Sequence, residues 1–278
     1  MAASTATESL IEFRSARRKE VAAPRGPVSY YWGDFITEAD QHVDGAPGVW
    51  SLLEGGRPGL VVRANAEAGI RIGGVAVDGT ATLYADESYG QTIAEFPDGA
   101  QGVAFTPDGS RYMLRVWNQH SAWAQRFDDI STFDEDPSWV VEATVTRSNG
   151  GRTLSINRTR SPHAVDTAVV ATLEFVRDGR AYRLDATVPG PEQDRVLVHF
   201  RDATSGMESY GAGRSLWFDA ATLAEAKTIV LDFNRANLMP CAFSKAWNCP
   251  LPPPGNTLPI PVRAGEQHAV DAEGQPLL

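Results

Sequence analysis

From Val28 to about Val198 the chain alternates between short apolar runs and turn formers. The runs are VWSLL (49–53), GLVVRA (59–64), IRIGGVAV (70–77), TATLYA (80–85), RYMLRVW (111–117), WVVEATVTR (139–147), VVATLEFV (169–176), AYRLDATV (181–188) and RVLVHF (195–200). Within most of them apolar and polar residues alternate with a period of two, the mark of a half-buried strand. Asp-Gly pairs at 78–79, 108–109 and 178–179 allow the positive φ of tight hairpins. Short strands at this spacing predict an all-β protein, an antiparallel sandwich or open barrel. No alternating β-helix-β period occurs, which excludes a Rossmann-type fold.

Helical patterning is confined to two places. Over 7–22 Leu10 and Phe13 fall on one side and Arg14, Arg17 and Arg18 on the other. This predicts a helix that docks by its apolar side and keeps its charges in water, stopped by the prolines of APRGP (23–27). A second, minor helix is expected at 220–227 (AATLAEAK). The aromatic, acidic segment 118–138 is too long for a turn; Trp123, Phe127 and Phe133 in it either cap a core or cover a pocket. The organisation that follows is a helix and linker over 1–27, one mainly β domain over 28–270, and a flexible tail over 271–278.

The stretch 201–266 changes the picture, because its density of Pro, Gly, Asn and Asp suits neither helix nor long strand. It predicts a long ordered loop region, the place where a scaffold presents functional groups. RDATSG (201–206), YGAGR (210–214), DFNRA (232–236), PCAF (240–243), CPLPPP (249–254) and RAGE (263–266) resemble, in order and spacing, a bacterial and archaeal family. That family is known as domain of unknown function 1684. FTPDG (105–109) and RYMLRVW (111–117) fit it more loosely. The resemblance implies homology and supplies no reaction. The chain departs from the family pattern at Asn237, Leu238 and Met239, usually Tyr-Asn-Pro, and at Ser209, Gly255, Thr257 and Asn118, which suggests a specialised relative.

Composition narrows the function. A net charge of −10 argues against nucleic acid, whose phosphates call for a basic surface. No apolar run approaches the roughly 20 residues that span a bilayer, and MAASTATESLIEF lacks the layout of a secretory signal. The expected setting is cytoplasmic, without a membrane partner. Five scattered histidines and two cysteines eight positions apart make no zinc motif. In a reducing compartment Cys241 and Cys249 are expected as buried thiols; a bridge between them would add roughly 2–3 kcal/mol.

Candidate chemistry gathers in the loop motifs. The glycines of YGAGR precede a strand, not a helix, so they indicate a bulge and not a phosphate cradle. Asp202, Glu208, Arg214, Asp232, Arg235, Arg263 and Glu266 alternate in sign across separate motifs. Converging, they would form either an anion-binding acid–base site or an ion-pair network that pins the loops. The first alternative is an enzyme for a small polar or anionic molecule, working without metal or nucleotide cofactor. Asp202, Asp232, Glu266 and Tyr210 would be its acid–base groups, and Arg214, Arg235, Asn234, His199 and Cys241 would contact the substrate. The second is a non-catalytic small-molecule-binding or structural β module. CPLPPPGNTLP is extended chain, expected as a packed strap. Oligomeric state leaves no trace in the sequence.

Overall fold

A reciprocal cap starts the N-terminal helix. The Glu12 N–H donates to Ser9 Oγ at 3.2 Å and the Ser9 N–H donates to Glu12 Oε2 at 3.0 Å, satisfying two amides that helix geometry leaves open. The helix runs Leu10–Val21 in this computed structural model, which describes residues 9–55, 57–85, 92–107, 109–161, 163–188 and 194–278. Its arginines do not stay in water. Arg14 donates to the Phe133 carbonyl, Arg17 to Glu266 Oε1 and the Leu238 carbonyl, and Arg18 pairs with Asp129. Leu10 is only half-buried and Ile11 is exposed. Leu10, Phe13, Arg14 and Arg17 are all half-buried, so the arginines dock on the same face as the apolar residues, their donors reaching backbone carbonyls that an apolar side chain cannot satisfy.

Beyond the helix the chain is mostly antiparallel sheet with no closed barrel, as the alternating runs predict. Where one domain over 28–270 is expected, the chain clusters into two compact units, one of residues 20–127 and one of residues up to 19 together with 128–278. The segment 118–138 straddles this division, so Trp123 and Phe127 fall in one unit and Phe133 in the other.

In the 20–127 unit a six-stranded and a four-stranded antiparallel sheet share a core. Trp50, Leu60, Val62 and Leu83 come from the smaller sheet, and Ala94, Ala104, Leu114 and Val116 from the larger. The Asp78-Gly79 pair joins strands Val75–Ala76 and Gly79–Tyr84, which lie in different sheets, so it makes no hairpin. Asp108 of the second Asp-Gly pair lies outside the described residues.

The other unit holds an eight-stranded antiparallel sheet. Its main path runs 228–232, 140–147, 165–177, 180–187, 195–200, 214–219 and 237–238, with 153–156 beside 165–177. Here Asp178 and Gly179, with φ of 50° and 73°, close the hairpin that sets Arg177 opposite Arg180. A smaller ladder pairs Asp129–Thr132 with Glu266–Val270. The minor helix forms at Ala220–Glu225. Residues 271–278 fold back as a turn in which the Leu277 N–H reaches the Ala269 carbonyl and Leu277 is buried. The flexible-tail expectation missed that anchor.

One joint in the large sheet is made by a side chain. Strands Arg180–Thr187 and Arg195–Phe200 pair only at Thr187 and Leu197. Past that point they splay, and fully buried Asn256 fills the gap. Its Oδ1 accepts from the Asp185 N–H at 2.7 Å, while Nδ2 donates to the Asp185 and His199 carbonyls at 2.9 and 2.8 Å. An amide side chain thus does the work of a peptide unit, and it fastens the proline strap to the sheet.

Candidate functional site

Strand alternation sorts the candidate residues onto two faces of the same three strands, Arg195–Phe200, Arg214–Asp219 and Asn237–Leu238. Val196, Val198, Phe200 and Leu216 point into the main core. Leu197 and Trp217 point the other way, into a smaller cluster with Met239, Cys241, Cys249 and Tyr210.

On the core face stands Arg214, with no exposed surface. Its Nη2 donates to Asp202 Oδ2 at 2.5 Å and to the Val262 carbonyl at 2.7 Å; Nη1 donates to the Ala264 carbonyl at 2.5 Å and to the Glu266 carbonyl at 3.3 Å. Of its nitrogens only Nε has no hydrogen-bond partner. The rings of Phe133 and Phe200 flank the guanidinium at 5.4 and 5.6 Å. Burial lowers the Arg214 pKa, opposed by the charges of Asp202 and Glu266. The other Asp202 oxygen accepts from the Thr204 N–H at 2.6 Å. Glu266 is taken up by Arg17 and by the Leu238 N–H, at 2.6 Å to Oε2. Asp202 and Glu266 therefore point at protein donors on every side and face no open space.

Asp232 and its neighbours form a second, more open group. Asp232 Oδ1 caps the turn Phe233–Arg235 by accepting from the Asn234 N–H and Nδ2, both at 3.0 Å, and Oδ2 pairs with Arg235 at 3.2 Å. Asn234 is buried and trades hydrogen bonds with the Asp136 backbone. Arg235 lies over the Phe13 ring at 4.9 Å. Asp232 and Asn234 do not share a strand face, because the strand ends at Asp232 and a 3-10 turn follows. Arg263 and Glu208 make a two-pronged pair out on the surface.

The opposite face carries His199, Ser215 and Asn237, cross-strand neighbours in one row. His199 is 2% exposed, and neither ring nitrogen has a hydrogen-bond partner; Asn237 Oδ1 has none either. Ser215 Oγ donates to the Asn237 carbonyl at 3.2 Å. Burial pushes the His199 pKa down to about 3; the Ala212 backbone beside the ring favours the charged form but makes no hydrogen bond to it. The imidazole is neutral at physiological pH. It lines a small cavity of about 20 Å³ with Thr167, Thr187, Leu197 and the strap residues Pro250 and Pro253. That is room for one water molecule.

Tyr210 and the thiols adjoin this face. The Tyr210 hydroxyl donates to the Cys241 carbonyl at 2.9 Å, and burial with the neighbouring Cys241 raises its pKa. Both cysteines are free and buried. Among the described residues no group of three or more His, Cys, Asp and Glu side chains could hold a metal ion, and no helix is long and apolar enough to cross a membrane.

Of the nine residues that the sequence singles out, the core network takes Asp202, Arg214 and Glu266, and the capped turn takes Asp232, Asn234 and Arg235. His199, Tyr210 and Cys241 lie on the strap side. Sequence reasoning missed Asn256, Asn237, Ser215 and Arg17. The first stands one residue from the Pro-Gly of the strap, a position where Asn commonly reads as a turn former. Arg17 was placed in solvent by helical periodicity.

Among curated proteins none matches this chain. The solution NMR structure of an uncharacterized protein from Haloarcula marismortui is 37% identical, over 52% of this chain and 79% of that one, with a TM-score of 0.44. Residues 125–267, which hold both polar faces and the strap, match a family described as protein of unknown function (DUF1684), and the chain belongs to that family.

Proposed function

We propose that this protein is a small-molecule-binding β module, with its ligand site on the His199 face and the Arg214 network as framework. One observation carries the reading: a histidine 2% exposed leaves both ring nitrogens without partners, beside an equally unpartnered Asn237 Oδ1. Buried polar groups are nearly always hydrogen-bonded, and each one left open costs about 1–3 kcal/mol. Groups held open at that cost mark a place where something else supplies the bond. The ligand would be neutral and rich in hydrogen-bonding groups, since His199 stays uncharged. The cavity has room for only a water-sized guest, so a larger ligand would have to displace the strap around Pro250 and Pro253.

The acid–base reading of Asp202 and Glu266 finds less support, because their oxygens are engaged by Arg214, Thr204, Arg17 and Leu238. An enzymatic role would have to rest on Asp232 or Tyr210. Native mass spectrometry of the purified chain, followed by a thermal-shift screen of neutral polar compounds, tests the proposal. A retained or stabilising compound whose effect vanishes in His199→Phe supports it. Hits that survive His199→Phe, or none in a broad screen, defeat it.

A further inference from the structure

The thiol pair takes no part in that reading, yet its surroundings are specific. Cys241 sits in the turn Pro240–Ala242 and Cys249 eight residues on, where the strap begins. The Cys241 N–H donates to Cys249 Sγ at 3.2 Å, which brings the two thiols together. Leu197, Met239, Trp217, Trp247 and Tyr210 enclose them. The exposures are 3% for Cys241 and 5% for Cys249. An amide N–H aimed at sulfur favours negative charge there.

We propose that Cys241 and Cys249 form a two-thiolate site for a soft monovalent cation, Cu(I), inside the buried cluster that also holds Met239. Ligand chemistry makes the selection. Hard cations need oxygen donors, and structural zinc needs four ligands. No third imidazole, thiol or carboxylate among the described residues joins the pair. Cu(I) is satisfied by two thiolates, prefers sulfur, and tolerates an apolar, water-free surrounding. Binding exchanges protons and moves no electrons: two S–H bonds break, two Cu–S bonds form, and two protons leave to solvent. The complex carries one negative charge, which the Cys241 N–H, donating to Cys249 Sγ, is placed to offset. Copper uptake needs no oxidant, unlike a disulfide.

Anaerobic titration of the full chain with Cu(I) held by bathocuproine disulfonate tests this, with tryptophan fluorescence as a second readout. One Cu(I) per chain should leave the chelator and quench emission through Trp217 and Trp247. Cys241→Ser and Cys249→Ser should each weaken binding by about 100-fold or more. Uptake by His199→Phe should match wild type, which separates this site from the ligand reading above. Near-ultraviolet circular dichroism checks that each variant is folded, and Ag(I) competition on the wild-type chain serves if a serine variant is not. Failure to draw Cu(I) from the chelator, undiminished uptake by folded serine variants, absence of Ag(I) competition, or equally tight Zn(II) binding would each overturn the proposal.

Discussion

The strands Arg195–Phe200 and Arg214–Asp219 present buried polar groups on both faces, and the two faces treat them in opposite ways. On one, Arg214 donates to an aspartate and three carbonyls, and only Nε lacks a partner. On the other, the His199 ring neither donates nor accepts a hydrogen bond. Burial is nearly the same, 0% and 2% exposed. What differs is the number of hydrogen-bonding groups the neighbouring chain brings. The segment 262–266 lays three carbonyls around the guanidinium, while the strap offers His199 proline rings, which have no N–H to give. A saturated site can only hold the fold together; an unsaturated one is stable only to the extent that the rest of the fold compensates for it.

The largest effect should come from breaking the saturated side. Arg214→Gln leaves Asp202 charged and buried, and Asp202→Asn leaves Arg214 so; each should lower unfolding free energy by about 3–5 kcal/mol in urea titrations. The double variant should fall well short of the sum, since one pair is lost once. Near-wild-type stability in either single variant would erase the contrast between the faces.

A smaller and opposite response is expected at His199. Its pKa is about 3 in the fold against an ordinary 6.5, so the unfolded chain binds the extra proton between those values. The neutral-histidine contribution is complete above pH 6.5 and is lost as pH falls toward 3, at up to about 1.4 kcal/mol per pH unit. His199→Phe should hold stability at pH 7 and flatten the curve between pH 6 and 4. An unchanged slope in the variant would mean that His199 is not held neutral. Least of all should happen at the exposed pair of Arg263 with Glu208: Arg263→Gln should leave the melting temperature unchanged, because solvent screens that pair.

Much of the architecture can be read from periodicity alone. The runs 59–64 and 195–200 coincide with strands Gly59–Ala64 and Arg195–Phe200, because alternation reports which side of a strand meets a core. Division into two units was hidden, since a short strand carries no mark of the sheet it joins. Charged motifs showed where polar groups would gather but not whether they would be consumed. Arg214 and His199 each sit in an apolar strand; only the fold reveals that carbonyls from 262–266 surround one and prolines cover the other. Periodicity also misjudged Arg17, because helical amphipathicity assumes that charge seeks water, and here it found Glu266 and a backbone carbonyl instead.

The side-chain joint at Asn256 bears on the order in which the sheet assembles. Strand 180–187 follows 165–177 through a two-residue turn and can zip as soon as both exist. Its junction with 195–200 has a single ladder pair, and past that point it depends on an amide 71 residues beyond Asp185. Closing so long a loop costs chain entropy before any hydrogen bond repays it. The eight-stranded sheet should therefore form first as a hairpin-rich part and a separate edge, and become one sheet only when the strap arrives. During synthesis that step waits until Asn256 has been added, so a nascent chain stalled before it would lack the joint between the two strands.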